Sequence, residues 1–188
     1  RGLPLCSLES YTPLAQFDVL GFTLRHDLSF ANVLTILDLG GIPLRGSQRT
    51  LAHPLVIAGG PCAQNPEPMA AFIDLFVIGD GEEMLPQVCE AWLRLRSGGG
   101  DRRELLLELA RTLPHVYVPQ AYEVPEGQWR STPRPVAAGV PTLIEPAVVA
   151  DLDAIPLPTA PIVPSIEVVQ DRLSMEIMRG CPWRCRFC

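Results

Sequence analysis

Three cysteines dominate the chemistry available to this chain. Cys181, Cys185 and Cys188 stand in Arg179-Gly180-Cys181-Pro182-Trp183-Arg184-Cys185-Arg186-Phe187-Cys188, a C-x3-C-x2-C spacing. Three thiolates in one loop can hold three irons of a 4Fe–4S cluster, leaving the fourth iron open to a small chelating ligand. The alternative is a zinc knuckle whose fourth ligand lies beyond the chain end. Zinc sites favour paired C-x2-C elements with a matching second half. The x3 gap, the aromatic Phe187 and the apolar stretch before the loop favour the cluster. The arginines around it (Arg172, Arg179, Arg184, Arg186) either offset cluster or substrate charge or form a solvated basic rim.

The six cysteines in 188 residues fall well short of a secreted disulfide scaffold, where Cys exceeds roughly 8–10%. Half of them crowd into the last eight residues, which points to metal chemistry in a reducing compartment. Hydrophobic residues make up 47% and charged residues 19%, a balance that supports a packed core and argues against disorder. The net charge of -6 gives no general nucleic-acid footprint, although a local basic patch leaves RNA substrates open. No apolar run reaches the roughly 18–20 residues that span a bilayer, and no signal peptide is recognisable. The expectation is a cytoplasmic protein with no membrane partner. The chain opens on Arg1 and stops on a motif cysteine, so it is expected to be a fragment, inactive by itself.

The elements that carry the loop follow from periodicity. Residues 17–24 (FDVLGFTL) read as a buried strand. A helix follows Asp27 and Ser29 as candidate N-caps, with Phe30, Val33, Leu34 and Leu37 on one face, and Gly40-Gly41 and Pro43 end it. Strands are expected at 55–58 and 75–78, with a short helix near 68–73 between them. Leu85, Val88, Cys89 and Trp92 keep helical spacing, and Gly98 to Gly100 break the chain before a helix over about 102–113. Strand–helix alternation of this kind predicts an α/β fold with a parallel, Rossmann-like sheet and ligands beyond the strands' carboxyl ends. Those ends carry Gly59, Gly60, Gly79 and Gly81, where a planar cofactor could approach bare backbone. Simple turn chemistry is the competing explanation for these glycines. Glu82 and Glu83 complement a helix dipole. Cys62 and Cys89 read as structural, and Cys6 and the three histidines are uninformative.

Ten of the 20 prolines lie between Pro119 and Pro164, so 119–165 reads as a Pro-rich linker, with small strands at 116–118 and 122–124. Regular structure is expected again at 166–169 and 173–178, the latter leading into Gly180. The domains are therefore 1–118, its N-terminus expected to be missing, then the linker, then 166–188.

The loop and the strand before it resemble the radical S-adenosylmethionine (radical SAM) superfamily, whose motif is C-x3-C-x-(aromatic)-C. The resemblance implies that Cys181, Cys185 and Cys188 ligate a 4Fe–4S cluster and that Phe187 packs near the adenine of S-adenosylmethionine. It also implies reductive cleavage of that molecule to a 5′-deoxyadenosyl radical, with the electron coming from a flavodoxin- or ferredoxin-type partner. Residues 166–188 would then begin a truncated (β/α) barrel. Upstream, Val56 to Pro61 and Val77 to Glu82, with the approach Asp151 to Pro156, are similar to radical SAM proteins bearing an N-terminal cobalamin-binding-like domain. Pro4 to Glu9, Gly59 to Pro68 and Glu176 to Cys181 resemble a bacterial family of this architecture. Cobalamin is thereby a candidate cofactor over Gly59, Gly60, Gly79 and Gly81. However, none of His26, His53 and His115 stands in the Asp-x-His-x-x-Gly pattern of histidine ligation. No residue is singled out as catalytic, and the substrate, RNA or protein, is open. The alternative function is a non-enzymatic corrinoid- or partner-binding module with structural zinc at the cysteines.

Overall fold

The computed structural model describes residues 3–125, 132–156, 176, 178–181, 183, 185 and 186. The chain divides into two units, Arg1–Val149 and Ala150–Cys188.

The first unit is organised by β2 (Leu55–Gly59). Its apolar run has no polar alternation, so both faces need cover. Leu55 and Ile57 enter one core, while Val56 and Ala58 enter another, as the two-residue period of a strand requires. β1 (Val19–Thr23) and β3 (Leu75–Val77) flank β2 and run parallel to it, with Leu20 opposite Val56 and Ile57 opposite Leu75. On one face lie α2 (Met84–Ser97) and α3 (Arg102–Thr112), contributing Val88, Trp92, Leu106 and Leu109. On the other lies α1 (Phe30–Leu39), contributing Val33 and Leu37. The result is a three-layer α/β unit.

The sheet is mostly parallel, in the order β1-β2-β3-β4, but β4 (Val116–Tyr117) runs antiparallel to β3, with Val77 opposite Val116. This corrects the wholly parallel expectation, and the reason is geometric. A single helix after a strand returns the chain to the amino end. Here α2 and α3 come in succession, reversing at Gly98 to Gly100, so β4 starts from the carboxyl end.

Local chemistry explains most boundaries. The Asp101 carboxylate caps α3, accepting from Arg103 N at 2.9 Å and Glu104 N at 3.3 Å, which satisfies amides the helix leaves orphaned. α1 has no such cap, contrary to expectation. Asp27 instead opens the short 3-10 turn Asp27–Ser29, and Ser29 Oγ donates backwards to His26 O at 2.6 Å. The helix expected over 68–73 is reduced to a 3-10 turn, Glu67–Met69, and a tight turn beyond it.

Residues 119–149 fold back on the same unit. A 3-10 turn (Pro119–Ala121) leads to β5 (Tyr122–Glu123), which pairs antiparallel with β6 (Arg134–Pro135). Ala121 and Val140 are buried in the core beneath α2 and α3. In the second unit Asp151 caps the turn Leu152–Ala154, accepting from Asp153 N at 3.0 Å. The strand expected at 166–169 lies outside the described residues, as does most of that at 173–178. Among the described residues no helix is long and apolar enough to cross a membrane.

Candidate functional site

Gly59, Gly60, Gly79 and Gly81 do lie at the carboxyl ends of β2 and β3. Their surroundings differ. At Gly60 (φ +95°) a Cβ would stand 3.1 Å from Leu24 O and 3.2 Å from Thr23 Cγ2, so the glycine lets β2 end against the end of β1. Cys62, half-buried, completes that junction, its backbone N–H donating to Leu24 O at 3.0 Å. At Gly79 (φ +93°) a Cβ would overlap the backbone of Ala147. Ala147 N donates to Ile78 O at 2.8 Å, and Asp80 N donates to Ala147 O at 2.9 Å. Val149 N adds a bond to Asp80 Oδ2 at 2.8 Å, and His115 Nδ1 donates to Glu145 O at 2.7 Å. Residues 145–149 thus form a strap across the carboxyl end of β3, over a cavity of about 130 Å³ bordered by Asp80, Glu83 and His115. Gly81 has no atom within 4 Å of a would-be Cβ, and a Cβ on Gly59 would meet only Val77 O, at 3.8 Å. Cys89 is half-buried on α2, as a core residue should be, and burial pushes its thiol pKa up.

In the second unit Arg179 grips Glu176 with both ends of its fork, Nε to Oε1 at 2.9 Å and Nη2 to Oε2 at 3.0 Å. Gly180 (φ +81°) then turns the backbone into Cys181, a conformation glycine adopts without strain. Cys181 and Cys185 are free, exposed thiols. Phe187 and Cys188 lie outside the described residues.

The amino end of the sheet holds a cluster that the sequence reading missed. Asp74, fully buried just before β3, accepts at Oδ2 from Val56 N (2.8 Å) and Arg102 Nη2 (2.9 Å), with Arg49 Nη1 paired at 3.0 Å. Arg49 also donates to the carbonyls of Pro43, Leu44 and Phe72, and Arg102 to those of Thr50, His53 and Pro54. The two guanidiniums tie the chain entering β2 to the start of α3. Burial pulls the Arg49 pKa down, and Asp74 opposes the shift. Arg102 also lies over the Trp92 ring, 5.0 Å from its centroid, a cation–π contact. Nearby, Tyr117 Oη donates to Glu67, and Tyr122 packs on Tyr117 with ring centroids 4.8 Å apart. Burial first, then the Glu67 bond and charge, push the Tyr117 phenol well up. The one sequence signal for this cluster was a lone carboxylate directly preceding an apolar run.

Comparison with known proteins decides the family. The family described as radical SAM proteins, N-terminal, matches residues 1–119. The chain belongs to that family. A 76-residue stretch is 29% identical to an uncharacterized protein of Methanocaldococcus jannaschii, covering 40% of this chain and 16% of that protein. The chain therefore aligns with only a small part of that relative's length. No solved structure matches.

Radical SAM proteins in general use S-adenosylmethionine and an iron–sulfur cluster. The donor set of this radical SAM chain fits such a cluster, because thiolates are the soft ligands that iron–sulfur centres take. Cys181 and Cys185 are reduced and reachable. Among the described residues no group of three or more His, Cys, Asp or Glu is arranged to hold a metal ion, so the cysteine loop has no rival there.

Proposed function

We propose that the chain contributes a Rossmann-like α/β domain and the cluster-binding loop to a radical SAM enzyme. The observation that carries this reading is the family match over residues 1–119 in the same chain as a C-x3-C-x2-C motif ending at Cys188. Cys181, Cys185 and Cys188 would hold three irons, and Phe187 would pack against the adenine of S-adenosylmethionine. When bound, the cluster supplies the electron that cleaves S-adenosylmethionine reductively, and a flavodoxin- or ferredoxin-type donor would replenish it. The Arg179–Glu176 pair and Gly180 would hold the backbone at the entry to the loop, in the first strand of a (β/α) barrel. The domain boundaries proposed are 1–118, 119–165 and 166–188, with a cytoplasmic location and an RNA or protein substrate.

Cobalamin is not part of this proposal. Gly60 and Gly79 each answer to packing against neighbouring backbone, so the glycines alone do not argue for a corrinoid.

The test is anaerobic reconstitution of the full-length protein with iron and sulfide. About four irons per chain are expected, lost when Cys181, Cys185 or Cys188 becomes Ala, together with formation of 5′-deoxyadenosine on reduction. Stoichiometric zinc without iron uptake would establish the structural-metal alternative, and cleavage no greater than in the cysteine variants would end the enzyme reading.

A further inference from the structure

Two cavities open at the amino end of the sheet, opposite the glycines. One, of about 410 Å³, is lined by Arg49, Arg102 and Arg103. The other, of about 280 Å³, is lined by Arg45, Tyr117 and Tyr122. Gly46, Ser47 and Gln120 line both, so the two adjoin. The larger alone falls within the roughly 300–1,000 Å³ typical of small-molecule sites.

Their walls differ in kind. The smaller compartment sets the stacked Tyr117–Tyr122 pair against Ala70 and Ala71, leaving room beside an aromatic wall for a flat ring. The larger presents guanidiniums, the groups best matched to phosphate oxygens. Two carboxylates stand near them. Asp101 lines the cavity but is engaged with the first amides of α3, and Asp74 is buried between Arg49 and Arg102. Three cations against two anions leave a positive surplus. Ser47 and Gln120 at the junction offer a hydroxyl and an amide, which can both donate and accept.

The cluster behind these walls is also incompletely satisfied. Arg49 and Arg102 are only 4% and 6% exposed. Among the described residues Arg49 Nη1, Asp74 Oδ1 and Arg102 Nε lack hydrogen-bond partners, the Arg49–Asp74 approach being an ion pair without hydrogen-bond geometry. Asp74 Oδ1 lies 3.1 Å from where a Gly46 Cβ would stand, beside a residue common to both cavities. Buried polar atoms left unpaired this way call for a partner.

We infer that the joined cavities bind a nucleoside monophosphate, its base in the tyrosine compartment and its phosphate in the arginine compartment. The site is independent of the cysteines and of the carboxyl-end glycines.

Titration calorimetry on the full chain tests this with AMP, GMP, CMP and UMP, and separately with adenosine and inorganic phosphate. At least one monophosphate should bind saturably and at least about tenfold tighter than phosphate alone. Arg103→Gln, which alters an exposed side chain, should weaken that binding about tenfold without moving the melting temperature. Gln120→Ala should weaken it less. Absence of saturable binding by all four monophosphates, phosphate binding as tightly as the best of them, or wild-type affinity in Arg103→Gln would each overturn the assignment.

Discussion

At the carboxyl end of the sheet, backbone lies against backbone: Gly60 against Leu24, and Gly79 against Ala147. At the amino end, charge lies against charge, with Asp74 between Arg49 and Arg102. The first arrangement satisfies peptide groups with peptide groups and tolerates no side chain at the point of contact. The second satisfies carbonyls with guanidiniums, and those in turn with a single carboxylate. Backbone closure leaves little chemistry at the surface. Ionic closure leaves arginines lining a cavity, which is why the further ligand site is inferred at the end where sequence reasoning did not look.

Removing the central anion is the largest expected perturbation. Asp74→Ala leaves two buried guanidiniums without a counter-charge, and breaking a buried pair this way costs about 3–5 kcal/mol. Urea unfolding should show that loss, or the variant should fail to accumulate folded. A loss below about 1 kcal/mol would mean that the amino end is open to water and that the two ends do not differ as described.

The backbone closure is broken next. Gly79→Ala forces a residue with a Cβ into φ +93° and into the Ala147 backbone, and strain of this kind costs of order 1–3 kcal/mol. Gly81→Ala is the matched control, with nothing within 4 Å, and should stay within about 0.5 kcal/mol of wild type. Equal effects at both positions in chemical denaturation would show that the strap is not what requires glycine at Gly79. The smallest change expected is at the α3 cap. Asp101→Ala should cost about 1 kcal/mol, read as a lowered denaturation midpoint, because the Arg103 and Glu104 amides lose their acceptor while Arg102 keeps its buried contacts.

The parts of this molecule legible in its sequence are those where one face of an element repeats. β2 and β3 announce themselves as apolar runs, and α2 and α3 by Val88 and Trp92, or Leu106 and Leu109, at helical spacing. β4 offers only Val116 and Tyr117 to the sheet, too short to carry a direction. Its antiparallel sense depends on the count of helices before it. The strap was hidden among prolines because Ala147 pairs through its peptide groups, which leave no mark on side-chain pattern. Arg49, Asp74 and Arg102 looked like ordinary surface charges because nothing local marks a guanidinium whose partners lie far along the chain. The glycines were placed at the correct end of the sheet, yet their cause at Gly60 and Gly79 is a neighbouring backbone that only the fold supplies. The cysteine motif was legible from spacing alone, since one loop carries all of its donors.

The strap also has a consequence for the order in which the molecule is made. The bridge between Gly79 and Ala147 encloses both helices of one face and β4 within a single long loop. Contacts so distant in sequence form slowly, since the entropy of closing the loop comes before any reward. The sheet and its helices can therefore assemble while Ile78 O and Asp80 N still lack the partners that Ala147 brings. On an emerging chain, the carboxyl end of β3 stays unsealed until residues 145–149 have left the ribosome, which makes its closure the last event in folding this unit.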